Sequence, residues 1–126
     1  MELQNNITRE NVKRLMHLFY TRAMQDKVLG PFFINELGND INSEDWQEHI
    51  ELLADFWLAE LMGKKTYKGN IYGAHIKVPH INRESFAKWI ELFSISADEV
   101  YIASVADNFK QKGIDLSKDF MSHLKI

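Results

Sequence analysis

Apolar residues recur three and four positions apart along most of this chain, the spacing that gives an α-helix one buried face. The first stripe is Val12, Leu15, Met16, Phe19, Tyr20 and Ala23. Thr8 stands before it as an N-cap, and the helix is expected to run to about Asp26. "KVLGPFF" ends it, because Gly30–Pro31 cannot continue a helix. A short helix around residues 31 to 37 is expected next, ended by Gly38. Asn42 or Ser43 then caps a second long helix that reaches Met62 and stops at Gly63. Its stripe is Trp46, His49, Ile50, Leu53, Phe56, Trp57 and Leu61, so one member of an apolar face is a histidine.

The pattern then breaks. "KKTYKGNIYGAHIKVPHI", residues 64 to 81, holds two glycines, a proline and scattered charge, with only a weak hairpin signal in "YKGNIY". So long a stretch without firm structure inside a compact domain is more often functional than accidental. Asn82 caps a third long helix carrying Phe86, Trp89, Ile90, Phe93, Ala97, Val100 and Tyr101. "SADE" at 96 to 99 resembles a capping box, but the stripe passes through it in phase, so one continuous helix is expected. Ser104 begins the last helix, with Val105, Phe109, Leu116, Phe120 and Leu124 on one face. Gly113 falls on that face and either admits a close neighbour or breaks the helix in two. Four substantial helices in two consecutive pairs make an all-α fold, expected as one domain over residues 1–126.

Composition narrows the chemistry. Hydrophobic residues are 45% of the 126, with eight Phe, three Trp and four Tyr, enough for a core. The net charge of −3 argues against general binding to a phosphate backbone. With no cysteine, disulfides, Cys-ligated zinc, iron–sulfur clusters and covalent haem attachment are excluded. The polar start "MELQNNITRE" has no signal-peptide pattern, and "ELLADFWLAELM" is interrupted by Asp55 and Glu60. A soluble cytoplasmic protein, not bound to membrane or nucleic acid, is the expectation.

The familiar catalytic templates fail. "WQEHIELLADFW" has no His-Glu-X-X-His, all six glycines are isolated, and no Gly-X-Ser-X-Gly elbow or paired carboxylates appear on an apolar face. His17 and His123 read as surface residues. His49 alone reads as a hydrogen-bonded core or rim residue, and His75 and His80 alone as loop residues. Tyr20 and Trp89 taken singly read as core packing. Together they suggest more. A haem needs apolar aromatic walls and an imidazole on a short segment as axial ligand. Tyr20, His49 and Trp89 put three hydrogen-bond donors on or beside the apolar stripes.

"LMHLFYTRAMQDKVLGPFF", "WQEHIELLADFW", "YKGNIYGAH" and "FAKWIELF" match a known family in order, spacing and residue type. Over nearly its whole length the chain resembles the truncated haemoglobins, specifically group III (P-type). The resemblance implies a truncated globin, a two-over-two helical sandwich around a haem. The four long helices then correspond to globin helices B, E, G and H, with helix A nearly absent. His75 matches the proximal histidine that ligates iron. Tyr20 and His49 match the distal tyrosine and histidine, and Trp89 the tryptophan of groups II and III. Leu53 matches the apolar position one turn beyond the distal histidine. Phe19, Phe33, Phe56, Trp57, Ile76 and Phe93 would line or back the pocket. Tyr67, Lys68, Lys77, His80 and Arg83 are the groups near His75 available to the haem propionates. The Gly-Gly corners of groups I and II are absent, and the family pattern does not explain Gly113.

The cofactor so implied is haem b, iron protoporphyrin IX, held non-covalently. Donors from Tyr20 and Trp89, with His49 as a third donor or a gate, would hold dioxygen or another diatomic ligand tightly. The leading expectation is reversible ligand binding at a five-coordinate iron. An enzyme of nitric oxide dioxygenation or peroxide chemistry is the alternative; its electrons would come from a separate reductase, since this chain carries no reductase domain. A non-haem helical interaction module is the third reading. No spare apolar face is evident, which makes a monomer the default.

Overall fold

The computed structural model describes residues 2–63 and 82–125, the His123 side chain excepted. Five helices lie within them: α1 (Arg9–Gln25), α2 (Gly30–Leu37), α3 (Glu44–Met62), α4 (Arg83–Val100) and α5 (Ala103–Leu124). The weak hairpin in "YKGNIY" lies outside the described residues.

Local chemistry sets most of the boundaries. The Thr8 hydroxyl accepts from the Asn11 amide, and the Asn11 side chain accepts in return from the Thr8 amide. Ser43, not Asn42, caps α3 by accepting from the Trp46 amide. Asn82 and Ser85 form the same reciprocal box at the start of α4. Such caps satisfy amides that the first helical turn leaves without partners. Gly38 and Gly63 close α2 and α3 at φ of 85° and 68°, where a side chain would be strained. Between α1 and α2 the Asp26 carboxylate accepts from the amides of Val28 and Leu29.

Two boundaries depend on distant residues. α4 runs unbroken through "SADE" to Val100, as its stripe implies. The last helix starts at Ala103, one residue before the expected Ser104, and Ile102 gives it no side-chain cap. The N-terminal segment holds this corner instead: the Gln4 amide donates to the Val100 carbonyl, and the Ile102 amide to the Gln4 carbonyl. The Tyr101 hydroxyl, buried at the same corner, donates to Asn11 Oδ1 at 2.6 Å. α5 then continues unbroken through Gly113, which is buried against α4.

α1 packs on α3, α4 on α5, and α1 also lies against α4 and α2. The buried faces carry all six residues of the α1 stripe. Phe93 of α4 is central: its ring stacks with Trp57 and with Trp89, at centroid distances of 5.0 and 4.9 Å. Exposed or half-exposed ion pairs link the same elements, Arg9 with Glu51 and Asp55, Arg22 with Glu99, Lys110 with Asp98, and Lys112 with Glu60. Pairs of this kind contribute about 0–1 kcal/mol each, so the apolar interfaces carry the stability. No helix among the described residues is long and apolar enough to cross a membrane.

Candidate functional site

A cavity of about 480 Å³ opens among these helices. Its size falls within the roughly 300–1,000 Å³ usual for small-molecule and cofactor pockets. Nine of the residues singled out from sequence line it: Phe19 and Tyr20 from α1, Phe33 from α2, His49, Leu53, Phe56 and Trp57 from α3, and Trp89 and Phe93 from α4. Helical periodicity explains the convergence. Positions 49, 53, 56 and 57 share one face of α3, and 89 and 93 share one face of α4. Tyr67, Lys68, His75, Ile76, Lys77 and His80 lie outside the described residues. Arg83 is exposed at the first position of α4.

One polar corner of the cavity forms around Tyr20. The ring meets Phe33 edge-on at 5.1 Å, lies 5.2 Å from Trp46, and meets His49 at 5.4 Å, the His49 plane turned by 73°. His49 is half-buried and also edge-on to Trp46 at 5.6 Å. Trp46 is fully buried, and its indole N–H donates to the Gly38 carbonyl at 2.8 Å, which ties the end of α2 to α3 behind this corner. Trp89, on the α4 side, stacks on Phe93 and meets Phe19 edge-on at 5.7 Å.

Tyr20 is only 6% exposed, and burial pushes its phenol well above the ordinary value of 10.0. Burial raises Tyr101 as well. Desolvation penalises the phenolate, so Tyr20 stays an O–H donor wherever the protein is folded at neutral pH. The linkage sign follows. A folded value raised above the unfolded one leaves stability whole below pH 10.0 and erodes it as pH climbs past that point. Urea melts between neutral and alkaline pH should therefore fall in midpoint only on the alkaline side, and Tyr20→Phe should flatten that fall. An equally steep alkaline fall in the variant would show that Tyr20 is not responsible.

Further lining residues were not assigned to the site from the sequence: Met16, Leu29, Phe32, Glu36, Leu37, Ser85, Phe86, Leu116, Ser117 and Phe120. Met16, Phe86, Leu116 and Phe120 already sat on helical stripes, and only their convergence was unreadable. Ser117 had a usable signal, since it lies three positions before Phe120 and four after Gly113 on the same face. Its hydroxyl is buried and finds no hydrogen-bond partner among the described residues. The cavity thus combines aromatic and aliphatic walls with a few polar groups, a composition suited to a large, flat, mostly apolar cofactor.

No protein-family model matches the chain. The group 3 truncated haemoglobin ctb of Campylobacter jejuni is 31% identical over 118 residues, covering 94% of this chain and 91% of that protein. The crystal structure of group III truncated haemoglobin from Campylobacter jejuni superposes with a TM-score of 0.90 at 30% identity, covering 98% of this chain and 95% of that one. The chain belongs to the group III truncated haemoglobins.

Its helices accordingly form a truncated globin, all-α among the described residues. In these terms α1 and α3 are one layer of the truncated haemoglobin sandwich and α4 and α5 the other, with the cavity lined from both. The short α2 closes one side, where Phe32, Phe33, Glu36 and Leu37 reach the lining.

Proposed function

We propose that this truncated haemoglobin binds haem b non-covalently and holds dioxygen or another diatomic ligand reversibly at a five-coordinate iron, with His75 as the axial ligand. One observation carries the reading: nine residues expected at a haem pocket line one cavity, drawn from four helices of a truncated globin. When bound, haem supplies an iron with one open coordination position. The chain's residues supply the rest. Leu53, Phe56, Trp57 and Phe93 give the macrocycle apolar walls and keep water out. The Tyr20 hydroxyl and the Trp89 indole N–H are the donors toward the ligand, and His49 is a third donor or a gate. Donors fixed in a water-poor cavity favour ligands that draw electron density, because they need no reorganisation when the ligand arrives. Such a protein retains its ligand more than it delivers it, and works as one domain and as a monomer.

Absorption spectra of the purified protein with added haem test this directly. An intense haem band that shifts between the ferric, ferrous and carbon monoxide forms is expected. Protein that remains colourless after haem is added would reject the reading, and leave a helical interaction module.

A further inference from the structure

We infer that Gly113 is the positioning residue for Trp89: a bare stretch of α5 backbone sets where the indole lies at the cavity. The inference rests on the haem-pocket reading for its functional consequence, and on the packing of α4 against α5 for its cause.

Nothing local calls for glycine here. Gly113 lies deep inside α5, where alanine is the better helix former. Its φ is not positive, unlike those of Gly38 and Gly63. Space is the reason. A Cβ at this position would lie 3.2 Å from Trp89 Cζ3, 3.3 Å from Phe93 Cδ2 and 3.4 Å from Ile90 Cδ1. The first two contacts are tight enough that a neighbour must give by a few tenths of an ångström, while the third is close to ordinary contact.

Phe93 is buried, and Trp89 is half-buried at the edge of the cavity. The Trp89 and Phe93 rings stack 4.9 Å apart and within 8° of parallel, so a push on one is carried to the other. From α1, Phe19 meets both rings edge-on at 5.7 Å. Phe19 is itself buried and edge-on to Tyr20 at 4.8 Å. A methyl at 113 therefore displaces the Trp89–Phe93 stack against Phe19. Packed interiors transmit such strain instead of absorbing it. The indole N–H shifts relative to the cavity, and its hydrogen bond to a diatomic ligand weakens.

A double-mutant cycle tests this with wild type, Gly113→Ala, Trp89→Phe and the double variant, each loaded with haem. Trp89→Phe removes the outer indole ring that position 113 crowds. Three quantities are read: melting temperature, the infrared C–O stretch of the carbon monoxide form, and dioxygen dissociation. Gly113→Ala is expected to lower the melting temperature, shift the C–O band and speed dissociation roughly threefold to tenfold, the range for part or all of one hydrogen bond. In the Trp89→Phe background the alanine should change all three far less.

A raised melting temperature, as helix propensity alone demands, overturns the proposal. So does an equal effect in both backgrounds, or a lowered melting temperature with an unmoved C–O band, which would make Gly113 a packing requirement only. If Gly113→Ala does not fold, recovery of folding in the double variant supports the proposal. Failure of both assigns the need for glycine to Phe93 or Ile90 and overturns it. If wild type takes up no haem, the haem reading falls separately, and the melting temperatures of the four proteins as purified still decide whether positions 113 and 89 are coupled.

Discussion

His75→Ala protein is expected to bind haem at least about a hundredfold more weakly than wild type, since even the outer partners of a metal ligand are worth about 10–100-fold in affinity. The argument is one of supply. Among the described residues only one histidine lines the cavity, His49 on α3, and it faces Tyr20 at 5.4 Å. His17 is exposed. His123, whose side chain lies outside the described residues, reads as a surface residue from its sequence context, so the axial imidazole is proposed to come from residues 64 to 81, which hold His75 and His80. Of these two, the resemblance of "YKGNIYGAH" to the family pattern proposes His75. Haem titrations followed by absorbance should show the weakened affinity, and added imidazole should restore a ligated spectrum to the variant. His80→Ala should keep a histidine-ligated haem spectrum, with any loss of affinity limited to that of a propionate contact. Intact binding in His75→Ala with loss in His80→Ala would transfer the ligand role to His80.

The second large effect concerns the donors. Tyr20→Phe and Trp89→Phe are each expected to speed dioxygen dissociation about threefold to tenfold, and the pair by up to about a hundredfold. Tyr20→Phe removes one oxygen and keeps the ring contacts with Phe19, Phe33, Trp46 and His49. The cost is therefore that of the donor, not of a cavity. Carbon monoxide, a poorer acceptor, should dissociate at nearly unchanged rates, which separates a lost hydrogen bond from a loosened pocket. Stopped-flow dissociation of both ligands measures the contrast. Unchanged dioxygen rates in both single variants would remove Tyr20 and Trp89 from the ligand's surroundings and leave His49 as the residue to examine.

Much of this was legible in the chain because it is local. Thr8, Ser43 and Asn82 cap helices through amides within three residues of themselves. Gly38 and Gly63 end them through their own φ. The stripes of α1, α3 and α4 named the buried faces, and Tyr20, His49 and Trp89 stood out as polar or amphipathic groups on or beside those faces. The order and spacing of these residues also carried the family.

Other features required the packed molecule. The start of α5 looked like a matter for Ser104, yet the Gln4 backbone secures that corner by pairing beside Tyr101. Asn11, on the first turn of α1, accepts from the buried Tyr101 hydroxyl 90 positions away. Ser117 and Ser85 reach the cavity from helices that sequence spacing could orient but not bring together. Gly113 is the clearest case. The sequence by itself determined the helices, their inward faces and the family, since these are written within a few turns of chain. Only the tertiary structure decided that Gly113 faces Trp89, because a contact between two helices depends on how their faces mesh, and no periodicity along either helix records that.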